Sequence, residues 1–404
     1  MRNALLSFML GAAAVGASGQ FVGGFDAIPI QPAPSTLASP ITNALSASEI
    51  PLWTYSVTAG ADLGSGTYSG KIVGRNPHLP GKTTTTIPLL IIPVKVIINN
   101  GVSDTHTYDP LVYDGCEPVG HTAVDIVQNS PVFTNSAWNI DGVNVGTTQY
   151  HDAVVRASFW SLVAGSSYHL VENATVLSEQ TLTFGSSGTS GPGTNYNNVT
   201  SFGGCGFEGV VNENDLVTAI NSLLATISQV NIGTLPMILV NGVVSASSGD
   251  VITANCCALG FHTGYASGPN FQVTSIFNID YSGIWNGGNV DVSVISHELG
   301  EAIFDPEVNN TTPIWGNEGQ VEGGCPGSGG YPFLEVGDPL SPGYPTTTNE
   351  WVVTGGNGLT YHLQELAFFS WFFGGTNLGI SGHYSSHGTF TGNAKLCSAG
   401  GGTN

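Results

Sequence analysis

Residues Ser296 to Glu307 read SHELGEAIFDPE. The stretch opens like His-Glu-x-x-His, a spacing by which two side chains on a helix hold a metal ion and a third activates its water. Glu301 stands where the second histidine would be. His297 and Glu301 are four residues apart, so on a helix they share a face and can grip one cation. Glu298 takes the position of the general base that removes a proton from the bound water. A carboxylate is an acceptable zinc ligand. It adds a negative charge, makes the cation a weaker Lewis acid, and brings calcium, which prefers oxygen donors, into competition.

The surrounding chain places this motif on a helix. GGNVDVSVISHELGEAIF reads as helical and ends at Asp305-Pro306, because the residue before proline avoids helical angles. Upstream, NENDLVTAINSLLATISQV predicts a helix entered through Asn and Asp, LPMILVNGVV a strand, CCALGFHTGY a tight glycine-containing loop, and FQVTSIFNIDYSG another strand. The earlier part of the chain is β-rich, from LWTYSVTAG to TTTTIPLLIIPVKVIINNG. An amphipathic helix follows in QYHDAVVRASFWSLV, with Ala153, Val154, Ala157, Phe159 and Leu162 on its apolar side. YHLVENATVLSEQTLTF returns to strand, and Gly185 to Gly204 reads as a long surface loop. The expected class is α+β: a β-rich half over 51–205 against a mixed α/β half over 206–404 that carries the motif helix.

A catalytic zinc needs a third protein ligand. FLEVGDP offers Glu335 as the favoured ligand and Asp338 as the group that orients the histidine, or as the alternative ligand. Glu307 lies ten residues after His297, but Phe304 replaces the glycine a turn there would need. Asp305 is read as a helix-terminus hydrogen-bond acceptor. His262, in GFHTGY, is the candidate to stabilise a developing oxyanion, with Tyr265 and Tyr281 behind it. His383 and His387 are four apart, yet Gly382 and Gly388 argue for a loop and against a metal pair. The aromatics of YHLQELAFFSWFFG, Phe368, Phe369, Trp371 and Phe372 among them, are expected in the core.

Other chemistries are absent. No Gly-x-Ser-x-Gly elbow, dinucleotide fingerprint or Cys-x-x-Cys occurs, and GRNPHLPGKT has Gly74 two residues too far away for a phosphate loop. The chain opens MRNALLSFMLGAAAVGASGQ: Arg2, then an apolar run from Ala4 to Val15, then small residues. That is the anatomy of a secretory signal peptide over 1–19, too short an apolar run to span a bilayer. The Pro/Ala/Ser-rich residues 20–50 read as an extended lead-in or pro-segment. The six cysteines are an even number, which in an exported chain predicts disulfides, and adjacent Cys256 and Cys257 are expected to bond different partners. Seven Lys+Arg against 28 Asp+Glu exclude nucleic acid and anionic membranes as partners.

The stretches SHELGEAIFDP, EVGD, TTQYHDAVVRASFW and CCALGFHTG together resemble a large group of uncharacterised secreted bacterial proteins with a zincin-like C-terminal half. The motif helix is distantly similar to that of the plant Exordium-like (phosphate-induced) proteins. The resemblance runs roughly from Trp53 to Phe390. It implies a zincin-like fold with His297, Glu298 and Glu301 in the metal and base positions. The expectation is therefore a secreted, zinc-dependent peptidase acting on extracellular protein or peptide, without membrane insertion. The rival is a non-catalytic extracellular binding protein that holds a structural cation on the same scaffold. A carboxylate ligand titrates well below histidine, so such a site should keep its metal in mild acid.

Overall fold

The computed structural model describes residues 24–32, 49–81, 83–99, 104–185, 196–200, 206–246, 256–267, 270–279, 281, 291–316, 331–340 and 350–397. The fold is α+β, built on one large sheet with several small ones around it. Eleven strands make the large sheet. They are β1 (Gly24–Pro32), β2 (Thr85–Asn99), β3 (Thr105–Tyr108), β4 (Leu170–Val176), β5 (Gln180–Phe184), β6 (Tyr196–Thr200), β7 (Phe207–Asn212), β8 (Leu235–Asn241), β9 (Val243–Ala246), β10 (Cys256–Ser267) and β11 (Asn270–Ile279). Their order is β6-β7-β9-β10-β11-β8-β2-β3, with β4 and β5 also paired to β2 and β1 to β10. Strands from both sides of residue 205 thus lie in one sheet.

The centre of the sheet is parallel, with β8 between β2 and β11. Such strands are covered on both faces and read as continuous apolar runs. TTIPLLIIPVKVIIN shows this. Ile87, Leu89 and Ile91 enter one core, while Leu90, Ile92, Val94, Val96 and Ile98 enter the other. The second core is closed by helix α2 (Glu213–Leu224) through Leu216, Ile220 and Leu224. Asn212 caps α2, its side chain accepting from the Asn214 and Asp215 amides, so the helix is entered through Asn as its sequence predicts. The first core holds helix α1 (Tyr150–Ser158), the motif helix α3 (Ser293–Phe304) and the aromatics Phe368, Phe369, Trp371 and Phe372.

Several sequence expectations are revised. CCALGFHTGY is not a loop but strand β10, antiparallel to β11 and β9. Its Gly260 is extended rather than turning. A Cβ there would lie 2.7 Å from Val294 Cγ1 and 2.8 Å from Glu298 Cγ, so the glycine lets α3 approach the sheet. LPMILVNGVV is two strands, because Gly242 at φ +60° carries the chain from β8 to β9 across two intervening strands. YHLVENATVLSEQTLTF divides into β4 and β5, which pair in turn with the same long β2. The expected loop at Gly185–Gly204 contains β6, antiparallel to β7. Within the lead-in, β1 runs parallel to β10, with Ala27 opposite His262.

Among the described residues no helix is long and apolar enough to cross a membrane. Cys116 and Cys397 are not free thiols. The side chains of Cys205, Cys256, Cys257 and Cys325, the signal segment at 1–19 and the side chain of Tyr265 lie outside the described residues.

Candidate metal centre

Helix α3 has no solvent face: all twelve residues are buried, including Ser296, His297, Glu298 and Glu301. It packs on β10 and β11 and on β13 (Thr360–Gln364), which forms a hairpin with β12 (Glu350–Thr354). Burying an ionisable side chain costs free energy unless it is paired or ligating. Every polar group on this helix therefore demands a partner.

His297 is oriented through its second nitrogen. Nδ1 lies 2.9 Å from Gln364 Oε1. The amide of Gln364 cannot be turned round, because its Nε2 donates to the Gly337 carbonyl at 2.6 Å. Oε1 therefore accepts and Nδ1 donates, which leaves Nε2 turned toward the site. Gln364 is itself anchored: its amide donates to Ser296 Oγ at 2.8 Å, and its carbonyl accepts from the Tyr150 hydroxyl. Gly337 is required beside it, since a Cβ there would collide with the His297 ring. His151 of α1 bridges Glu172 and the Ser296 carbonyl, at 3.0 Å each, tying α1 to the helix one residue before His297.

Glu301 is held from two sides. Oε1 accepts from the backbone amides of Gly337 at 3.0 Å and Asp338 at 3.3 Å. Oε2 lies 3.0 Å from His297 Nε2 and 3.6 Å from His262 Nδ1. Burial pushes its pKa up, but the charge and hydrogen bond of His297, then His262 and the Gly337 amide, outweigh it and hold the carboxyl below its ordinary value. Asp338 Oδ1 faces His297 Nε2 at 3.6 Å.

His262 enters from β10. Its Nδ1 is 3.4 Å from Glu298 Oε2, and its Nε2 is 3.7 Å from Glu335 Oε2. Burial lowers its pKa to about 4 against the attraction of Glu301, so the ring is neutral at neutral pH. Burial, followed by the charges of Glu301, Asp305, Asp338 and Glu298, raises the Glu335 carboxyl well above its ordinary range. Among the described residues neither Glu335 oxygen has a hydrogen-bond partner, and the residue is 2 % exposed.

Six predicted residues thus converge: His262, His297, Glu298, Glu301, Glu335 and Asp338. Their arrangement differs from the expected one in one respect. Asp338, not Glu335, shares a face with His297 and Glu301, while Glu335 sits against His262. Two groups have ligand atoms mutually within 4.8 Å, His297–Glu301–Asp338 and His262–Glu298–Glu301. Asp305 is a helix-terminus acceptor, its Oδ1 taking the Asn309 and Asn310 amides at 2.9 and 3.0 Å. Burial lifts its pKa to about 7. Glu307 turns away to Lys71 at 2.5 Å. His383 pairs with Asp141 at 3.1 Å, and His387 stands edge-on to Trp351, so those two histidines serve other contacts. Gln364 is a contributor that no sequence motif marks, and Gly337 lies within EVGD without a role assigned from sequence.

Comparison with protein-family models, with curated proteins and with solved structures finds no match. The function must therefore be argued from this geometry.

Proposed function

We propose that the protein is a secreted metal-dependent hydrolase of zincin type, cleaving peptide bonds in extracellular proteins or peptides. The observation that carries this reading is the meeting of Glu301 Oε2 and Asp338 Oδ1 at His297 Nε2, one helical step from Glu298. The donor set fits a zinc ion: one imidazole nitrogen and two carboxylate oxygens, all within 4.8 Å of one another. When bound, zinc would polarise the scissile carbonyl and lower the pKa of a water to about 7.

The chain's own residues do the rest. Gln364 fixes the tautomer of His297. The amides of Gly337 and Asp338 fix Glu301. Glu298 accepts the proton of the attacking water and returns it to the leaving amine. His262, neutral and buried, stands with Nδ1 3.4 Å from Glu298 Oε2 and helps to position that carboxylate. Asp338, 14 % exposed at its side chain where its partners are at 0–2 %, marks the side from which substrate enters.

The same burial favours a second reading, a structural cation on a non-catalytic binding protein. Two measurements separate them. Zinc content by mass spectrometry after dialysis should reach at least one equivalent in the wild type, and the equivalent held at His297 should be lost in His297→Ala. Glu298→Gln should then abolish hydrolysis across a peptide panel while the cation at His297 stays. Stoichiometric zinc with no hydrolysis in the wild type would favour the structural reading; no zinc at all would overturn both.

A further inference from the structure

We propose a second cation site beside the first, formed by His262 Nδ1, Glu298 and Glu301, with Glu301 bridging the two cations. This rests on the reading that His297, Glu301 and Asp338 hold one cation. Three observations carry the extension. The first is distance. For metal–ligand bonds of 2.0–2.2 Å, neighbouring ligands of a tetrahedral ion stand about 3.4 Å apart. His262 Nδ1 lies 3.4 Å from Glu298 Oε2 and 3.6 Å from Glu301 Oε2.

The second is Glu335. It is 2 % exposed, neither oxygen has a hydrogen-bond partner among the described residues, and Oε2 is aimed at His262 Nε2 from 3.7 Å. A histidine that ligates through one nitrogen commonly gives the proton of the other to a carboxylate. With Nδ1 on a cation, Nε2–H points at Glu335, which accounts for a buried acid that otherwise has no role. The third is charge. Glu298, Glu301, Glu335 and Asp338 bring four carboxylates, and no lysine or arginine among the described residues is ion-paired with Glu301 or Glu335. A second divalent cation lowers the cost of holding these groups so close together.

The site also gives a reason for Glu301. An imidazole nitrogen has one lone pair and serves one metal, whereas a carboxylate oxygen has two. Oε2 lies between His297 Nε2 and His262 Nδ1. A histidine at this position would leave the second cation without its bridge. Glu298 would enter this site through Oε2, the oxygen that faces His262.

The test is titration of the chelator-stripped full chain with Zn²⁺ by calorimetry, beside electron paramagnetic resonance of the Mn²⁺-loaded wild type. Two equivalents of zinc are expected in the wild type and one in both His262→Ala and His297→Ala. Glu335→Gln should weaken the second equivalent roughly 10–100-fold and spare the first. The manganese form should give an exchange-coupled multiline spectrum. One equivalent in the wild type, unchanged in His262→Ala, with an isolated six-line manganese signal, would overturn the second site and leave the first standing. No zinc bound at all would overturn the underlying reading as well. The manganese spectrum needs no variant, so a variant that fails to fold does not blunt the test.

Discussion

Replacing Glu301 by His restores the common zinc-binding motif on paper, and the structure predicts that it damages the protein. Oε1 of Glu301 accepts two buried backbone amides, Gly337 N at 3.0 Å and Asp338 N at 3.3 Å. Hydrogen bonds to a charged acceptor contribute about 1.5–3 kcal/mol each. A histidine that ligates through one nitrogen offers neither amide a carboxylate, and a buried donor left unmatched costs about 1–3 kcal/mol on its own account. The metal-stripped Glu301→His protein should therefore lose roughly 3–5 kcal/mol. Glu301→Gln keeps a carbonyl acceptor and loses only the charge assistance, about 1–2 kcal/mol. Urea unfolding in chelator at pH 7 should rank wild type above Gln above His. The advantage of the wild type also depends on pH. Because the folded carboxyl is held below its ordinary value of 4.5, its contribution is complete above that pH and fades as pH falls through the folded value. A histidine variant as stable as the wild type would refute the reasoning, since it would mean that the two amides do not need the carboxylate.

Gly337→Ala places a Cβ against the His297 ring and must displace it. It should cost about 1–3 kcal/mol in thermal unfolding and more than tenfold in zinc affinity, and an unchanged affinity would contradict the packing described. Gln364→Leu removes the acceptor of His297 Nδ1, so zinc affinity measured with a competing chelator should fall roughly 10–100-fold. Burial raises Asp305 and Glu350 to about 7, from ordinary values of 3.8 and 4.5, and lifts Glu335 well above its ordinary 4.5. These acids hold protons more tightly in the folded state. Their contribution to the metal-stripped protein is complete below the ordinary values and is lost as pH rises through about 7. The melting temperature in chelator should thus be higher at pH 5 than at pH 8, and the opposite slope would show that these acids are not buried as described.

The motif helix, its end at Asp305 and the capped helix α2 were legible because their signals are local: a four-residue spacing, a proline, and Asn212 followed by the two amides that donate to it. The aromatic core of Phe368 to Phe372 was legible from composition alone. Strand β10 was not. Gly260 resembles a turn glycine until Val294 and Glu298, over thirty residues later, are seen to occupy the space its side chain would need. Gln364 could not be found, since it meets His297 across 67 residues and sits in a strand without a motif. Glu335 and Asp338 were both chosen, but their order of importance was not. Three residues of separation fix neither side chain until the Gly337 backbone docks on Glu301 and sends one to His297 and the other to His262.

The absence of a solvent face on α3 also bears on how the molecule can be probed. A surface helix offers half its positions to labels, proteases and antibodies while the fold stands. None of the twelve residues Ser293–Phe304 does. An antibody raised against SHELGEAIF should bind the denatured chain and ignore the native one, which makes that peptide an epitope that reports loss of the whole core.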